Sequence, residues 1–270
     1  RGDRAMCEFY QIDFEMSFVE QDDVLEILTQ YHMDLVKNLV PHKKITHNFV
    51  KMSYEDAIEY YWTDRPDLRF GMQLCDISSI VQWSWFWVFA NAIDQWWVVK
   101  AIKLDQQTMT RKEIDEVTNI AKDAGAKWLA YFMVDDNWIN SPITKFLSKD
   151  EIEQICNAMW AVSWDMIFFG AWKYEEVNKI LNKVRLYFRD YYNLVNTNDL
   201  AFCYILDFPF YERDDTNQVR DFWHNPFSVV TWWLDALRNQ ETWDIMTKQY
   251  DLVLNWYELG SWSIRNNDPD

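Results

Sequence analysis

Five positions combine a reactive side chain with a suggestive setting. Asp13 lies in residues 8–19, where Tyr10, Ile12, Phe14, Met16 and Phe18 alternate with Gln11, Asp13, Glu15 and Ser17. Period-two alternation predicts a strand with one buried and one polar face. Asp13 and Gln11 would share the polar face, where a carboxylate is either a ligand or a solvated strand acid. Asp251 and Glu258 are a second pair of acids, seven residues apart. On a regular strand an odd offset puts them on opposite faces; a β-bulge at Trp256 would bring them together. Otherwise they are ordinary strand acids. His224 precedes Asn225-Pro226, so it is either a site imidazole or a capping or core histidine in a turn. Arg265 is a surface strand-end cation or the partner of an acidic ligand, for which a guanidinium fork is suited.

The elements that must hold these residues are partly readable. Val24, Leu25, Leu28, Tyr31, Leu35 and Leu39 recur at helical spacing over residues 22–39, with Asp22 or Asp23 at the start. Ser53 and Asp56 open a short helix that ends near Tyr61. From residue 72 the texture changes to strands alternating with capped helices. A strand over 98–104 is followed by a helix capped by Thr110 and Glu113 and stopped at Gly125. A strand over 129–134, a helix opened by Ser148 and Glu151, a strand over 166–169 and a helix over 173–190 follow. This βαβα alternation predicts a small α/β unit between two flanks of another style. Residues 190–200 are polar and Asn-rich, a boundary, and residues 202–208 and 250–257 read as strands.

Composition bounds the possibilities. The 270 residues suffice for one or two cores, and 49% hydrophobic with 26% charged residues excludes a disordered chain. The net charge of −17 and the lack of a basic patch limit any nucleic-acid contact to a partial one. Cys7, Cys75, Cys156 and Cys203 are scattered, which argues against disulfides and zinc and for a reducing cytoplasm. No apolar run approaches a membrane span and no signal peptide is visible. Both ends look cut: the chain starts at Arg1 and stops at Asp270 inside a patterned segment. The abnormal count is 17 Trp against 5 Gly, where ordinary usage gives about 7% Gly. Trp83, Trp85 and Trp87 would suit carbohydrate stacking if read alone.

Several segments, in order, carry a resemblance. Arg1-Gly2-Asp3-Arg4 with Glu8-Phe9-Tyr10-Gln11-Ile12-Asp13-Phe14-Glu15 resembles the second half of motif 2 of bacterial aspartyl-tRNA synthetases. Thr63-Asp64-Arg65-Pro66-Asp67-Leu68-Arg69 looks like that family's DKPDLR stretch. Thr110-Arg111-Lys112-Glu113-Ile114-Asp115 and Ile139-Asn140-Ser141-Pro142 resemble its inserted GAD-type domain. Phe222-Trp223-His224-Asn225-Pro226-Phe227-Ser228 resembles its HHPF segment, with Asn225 in place of the second His. Residues 255–265 resemble NGYE…GGGS-x-R. Each motif is weak alone; together they span nearly the whole chain.

The resemblance implies an α+β fold, a class II antiparallel catalytic sheet with helices, interrupted by an inserted α/β GAD-type domain. Residues 1–71 and 199–270 would be the two parts of the catalytic core and residues 72–198 the insertion. It implies ATP-dependent activation of aspartate and transfer to tRNA, with Mg²⁺ as cofactor and a homodimeric, cytoplasmic parent. Asp13, His224 and Arg265 would bind aspartate, Asp13 through the amino group and Arg265 through the side-chain carboxylate. Glu258 would bind ATP, and Asp251 with Glu258 would hold the metal. Arg4 belongs to a loop that touches ATP and tRNA, a weak assignment because Ala5 replaces a polar residue. The anticodon-binding domain, motif 1, the first half of motif 2 and motif 3 lie outside the sequence, so this piece alone should not aminoacylate. The alternative is a non-catalytic GAD-type tRNA-interaction module related to amidotransferase subunits, against which Asp13, His224, Glu258 and Arg265 argue. Trp62, Trp128, Trp138, Trp256, Trp262 and Trp96-Trp97 stand where the family carries Gly. The expectation is that these codons are UGA, read as Gly in the source. Trp96-Trp97 would then be a Gly-Gly hairpin before Val98.

Overall fold

A computed structural model describes residues 8–136, 139–213 and 219–267. Its helices are α1 (Gln21–Leu39), α2 (Tyr54–Tyr61), α3 (Ser78–Val81), α4 (Trp87–Asp94), α5 (Arg111–Asp123), α6 (Lys149–Ala158), α7 (Tyr174–Tyr191) and α8 (Trp233–Asn239). Its strands are β1 (Lys44–Ser53), β2 (Cys75–Asp76), β3 (Val98–Leu104), β4 (Ala130–Val134), β5 (Ile139–Asn140), β6 (Met166–Trp172), β7 (Asp199–Pro209), β8 (Tyr211–Arg213), β9 (Val219–Phe222), β10 (Met246–Leu254) and β11 (Tyr257–Ser263).

A four-stranded sheet runs β1-β7-β10-β11, with β1 parallel to β7 and the other pairs antiparallel. Side chains of β7 alternate between two cores. Leu200, Phe202 and Tyr204 pack with Tyr250, Leu252 and the α1 face of Val24, Leu25 and Leu28. Ala201, Cys203 and Ile205 pack with Val253 and with Ala57 and Tyr61 of α2. Asp251 lies between Tyr250 and Leu252 in β10, so it points to the α2 side. That parity puts a buried acid on the face where the loop after α2 also lies.

The second sheet is drawn from residues 75–172, in the order β2-β3-β6-β4-β5, and every pairing is antiparallel. The expected alternation of strands and helices is present, in a sheet paired antiparallel throughout. β6 lies between β3 and β4, which makes β3-α5-β4 a split βαβ unit. Helices α5 and α7 cover one face through Ile114, Val117, Leu181, Val184 and Phe188. The other face packs on Phe86, Phe89 and Ile155. The capping boxes expected at Thr110/Glu113 and Ser148/Glu151 are formed, and Ser53 Oγ accepts from the Asp56 amide at the start of α2. Helix α1 instead takes Glu20 as its cap, with Asp23 as the reciprocal partner.

Three expectations fail. Residues 8–19 form no strand, and Tyr10 is 98% exposed. A strand needs neighbours for its backbone groups, and no described strand pairs with this segment, although Phe14 lies against Trp262 of the edge strand β11. Residues 250–257 are not one strand, because the chain turns at Asn255-Trp256 and pairs Leu254 with Tyr257. Trp96-Trp97 is not a hairpin but the C-terminal cap of α4.

That cap exposes a pattern. After α5 the Gly125 amide donates to Lys122 O and the Ala126 amide to Ala121 O, with Gly125 at φ 109°. After α4 the Trp96 amide donates to Ile93 O and the Trp97 amide to Ala92 O, with Trp96 at φ 59°. After α6 the Trp160 amide donates to Asn157 O and the Ala161 amide to Cys156 O, with Trp160 at φ 50°. After α7 Asn193 fills the same place at φ 51°, with the Leu194 amide on Arg189 O. These are four Schellman endings whose left-handed residue is Gly, Trp, Trp and Asn. Trp62 ends α2 at φ 55°, and Trp164 stands third in a turn closed by the Asp165 amide on Val162 O, at φ 75°. In that turn the third residue needs positive φ, which favours Gly.

Trp96 is 96% and Trp160 85% exposed, so removing either ring sacrifices little burial. Trp96→Gly and Trp160→Gly are each expected to raise unfolding free energy by about 1 kcal/mol, because Gly occupies left-handed backbone without Cβ strain. Trp→Ala at the same positions should give little or none of that gain. Urea denaturation of the four variants checks it; equal gains for Ala and Gly would mean that the ring, not the backbone, is the source.

Candidate functional site

The hairpin β10–β11 places the acids. Asp251 pairs with Ser261 and Leu252 with Gly260, but Val253 pairs with Glu258. Leu259 is therefore an extra residue, a bulge inside β11. Without it the register would set residue 259 opposite Val253 and turn Glu258 to the other face. With it, Ser261 and Glu258 share the face of Asp251. The problem of the odd offset is thus resolved by a bulge at Leu259 and not at Trp256, and by two strands instead of one.

Asp251 is 3% exposed and its Oδ1 has no hydrogen-bond partner. Its pKa is raised to about 7, chiefly by burial, and the nearby Glu258 and Asp64 carboxylates push the same way. The Ser261 hydroxyl and Arg65 oppose the rise. A buried carboxylate with an unmet oxygen and acidic neighbours calls for a positive charge.

His224 follows β9. Its ring packs edge-on against Phe208, with centroids 5.1 Å apart, and beside Trp223. Burial lowers its pKa, against the pull of Asp64 and Glu258, so the ring lies in reach of the same acids. The turn after it is built by Asn225. Its Oδ1 accepts from the amides of Phe227 and Ser228 and from the Ser228 hydroxyl, while its Nδ2 donates to Gln249 Oε1 of β10. The turn is then stitched to the end of β11: Ser228 bridges Arg265, and the Val229 amide donates to Ile264 O. One backbone ladder thereby joins the His224 segment to Arg265. Arg265 is exposed, its guanidinium 4.0 Å from the Phe227 ring centroid.

The structure adds two residues to which sequence reasoning assigned no role, Asp64 and Arg65. They lie after the left-handed end of α2, with Arg65 Nε 3.6 Å from Asp64 Oδ1. Asp64 is felt by Tyr54, His224 and Asp251. The available signal was the alternation of acids and cations around Pro66 in a non-helical stretch. Asp67 and Arg69, in the same stretch, are bound to each other, Arg69 Nη2 to Asp67 Oδ2 at 2.7 Å. Asp13 is not brought to this group. It is exposed on the irregular segment and makes no hydrogen bond or ion pair among the described residues. Arg4 lies outside the described residues. No group of three or more His, Cys, Asp or Glu that could hold a metal occurs among the described residues. Two carboxylates do suffice for Mg²⁺ when phosphate oxygens supply the rest.

Asp251 and Glu258 thus share one face of the β10–β11 hairpin, His224 lies where the Glu258 and Asp64 charges act on it, and Arg265 follows at the end of β11. The family model described as tRNA synthetases class II (D, K and N) matches residues 1–270, and the chain belongs to that family. The aspartate–tRNA(Asp/Asn) ligase of Prosthecochloris aestuarii is 38% identical over the whole chain, which spans 44% of that protein. The aspartate–tRNA ligase of Streptomyces coelicolor is 36% identical over the whole chain, which spans 46% of it. The chain thus covers less than half the length of these relatives. No helix among the described residues is long and apolar enough to cross a membrane.

The raised pKa of Asp251 has a stability consequence. A carboxyl whose folded pKa exceeds the unfolded value of 3.8 favours the folded state while protonated. That contribution is fully present below 3.8 and is lost as pH rises through about 7. Asp251→Asn should therefore melt several degrees higher than the parent at pH 8 without divalent cation, and the difference should vanish towards pH 4. Thermal melts across that range check it; a gain independent of pH would show that Asp251 is not the titrating group.

Proposed function

We propose that this chain carries the aspartate and ATP site of an aspartate–tRNA ligase. Residues 1–71 and 199–270 would form the catalytic core, interrupted by a GAD-type insertion over residues 72–198. The observation that carries the reading is the buried Asp251 carboxylate, whose Oδ1 has no hydrogen-bond partner, set by a bulge on the face of Glu258, an acid that also acts on His224, with Arg265 tied to the same frame. The family activates aspartate, lysine or asparagine. A guanidinium at the rim favours an acidic side chain and repels an ammonium.

In this reading Arg265 pairs with the substrate's side-chain carboxylate, a fork-to-fork contact. Asp64 supplies the carboxylate for the substrate ammonium, with Asp13 as the other candidate. His224 closes the pocket on the Phe208 side. Asp251 and Glu258 fit Mg²⁺, since the orphaned Oδ1 and the raised pKa are both answered by a divalent charge. Once bound, that ion would neutralise charge on the ATP phosphates. The substrate carboxylate displaces pyrophosphate from the α-phosphorus, and the aspartyl group then passes to a ribose hydroxyl of tRNA as AMP leaves. The residues act by placement and charge, not by proton transfer. A homodimeric, cytoplasmic parent that takes tRNA mainly through other regions completes the proposal.

Aspartate-dependent exchange of pyrophosphate into ATP by the full-length protein tests it. Arg265→Lys should lower kcat/KM for aspartate on the order of 100-fold or more, because one ammonium cannot replace a bidentate fork, with the KM for ATP within a few-fold. Exchange driven by lysine, or unchanged aspartate kinetics in the variant, would overturn the reading.

A further inference from the structure

We propose that Arg185 is a positioning residue for the amino-acid pocket: by gripping residues 67–72 from α7 it fixes where Asp64 and Arg65 stand. This rests on the site reading above. Arg185 lies on α7, whose Val177, Ile180, Leu181, Val184 and Phe188 pack on the five-stranded sheet. Its own guanidinium turns the other way and is 1% exposed. Nε donates to Met72 O at 3.0 Å, and Nη2 reaches Asp67 O at 3.2 Å, Gly71 O at 3.3 Å and Phe70 O at 3.5 Å. Phe70 and Tyr61 flank it with ring centroids 4.0 and 5.1 Å away.

This is an unusual place for a cation. The nearest acid, Asp67, is already bound through both oxygens to Arg69. Arg185 is held by carbonyls and rings alone, and burial draws its pKa down to about 10, still charged near neutrality. Carbonyls that converge on one guanidinium cannot spread without leaving it unmet in the interior. The strand-free stretch from Trp62 to Met72 is otherwise held by the Asp67–Arg69 pair and by Leu68, which packs with Ile205, Phe208 and Val253. Its first half presents Asp64 and Arg65 to Asp251 and His224, and its second half is folded around Arg185. A second cation works beside it. Lys100 of β3, fully buried, meets Glu59 Oε1 at 2.6 Å, and the Tyr174 hydroxyl donates to Glu59 Oε2 at 2.6 Å. That contact anchors α2, whereas Arg185 is the group that ties the loop to α7.

Arg185→Lys in the full-length protein keeps the charge but cannot reach the separate carbonyls. The KM for aspartate should rise about tenfold while the KM for ATP stays within twofold, and amide hydrogen exchange should accelerate over residues 63–72 but not in β3 or β6. A merely structural role would lower the melting temperature and leave the KM for aspartate unchanged, which overturns the proposal. If Arg185→Lys does not fold, Phe70→Leu loosens the stacking and keeps the carbonyls. A smaller rise in the same KM supports the clamp, and none overturns it. If the parent shows no aspartate-dependent exchange, the site reading fails. The clamp is then judged by hydrogen exchange alone, where unchanged protection of residues 63–72 refutes it.

A separate observation carries a second proposal. Trp makes up 17 of 270 residues yet five of the twelve non-glycine residues at positive φ among the described ones, namely Trp62, Trp96, Trp160, Trp164 and Trp232. Indole has no affinity for left-handed backbone, whereas Gly does. We infer that the chain made in its source carries Gly at these five positions, through codons there read as Gly. Mass spectrometry of peptides from the protein isolated from source cells decides it. Gly at positions 96, 160 and 164 is expected; Trp at them overturns the inference.

Discussion

The extra residue at Leu259 is the constraint on which the site depends. A strand offers two faces in strict alternation, so an acid seven residues from another falls on the wrong one. The bulge moves the register by one between Glu258 and Gly260 and returns Glu258 to the side of Asp251. The same hairpin carries Ser261 to the Asp251 carboxylate and delivers Arg265 beside Ser228. Three chemically different groups therefore depend on one local count of residues. The central position of β10, between β7 and β11, keeps Asp251 buried, and burial is the main cause of its raised pKa.

Around that hairpin the remaining groups arrive on loops, and each loop is fixed by a polar side chain. Asn225 folds the turn after His224 by accepting from two amides and a hydroxyl. Asp67 and Arg69 lock each other in the stretch after α2. Arg185 ties that stretch to α7. Loops so held place side chains with the accuracy that a charged ligand demands. The two sheets meet through these contacts, so residues that read as belonging to separate units share the support of one site.

The capped helices were legible because their signals are local. A capping box is complete within four residues of chain, and α5 and α6 begin as the Thr110/Glu113 and Ser148/Glu151 boxes require. Strands depend on neighbours, which a single sequence does not display. Residues 8–19 alternate as cleanly as any strand here and form none, while β1, with Lys44, His47 and Lys51 among its residues, escaped notice and pairs along β7. His224, Arg265, Asp251 and Glu258 were found through their resemblance to a motif, and the structure sets them on one frame. Asp13 was placed by an alternation that had no partner strand. Asp64 was quoted for likeness and given no task, since its neighbours in space come from β10 and the turn after β9.

Backbone strain gives the tryptophans a meaning that composition could not. A residue other than Gly in left-handed conformation costs about 1–2 kcal/mol, and five Trp are so placed. Their sum, about 5–10 kcal/mol, is comparable with the whole stability of an ordinary domain. The rings do little to repay it where Trp96 and Trp160 point into solvent. Yet the hydrogen bonds around both match those around Gly125 donor for donor. The fold therefore asks for Gly at these helix ends on geometric grounds. That demand comes from the ends of α4 and α6, outside the hairpin, so the assignment of the site stands whichever residue occupies them.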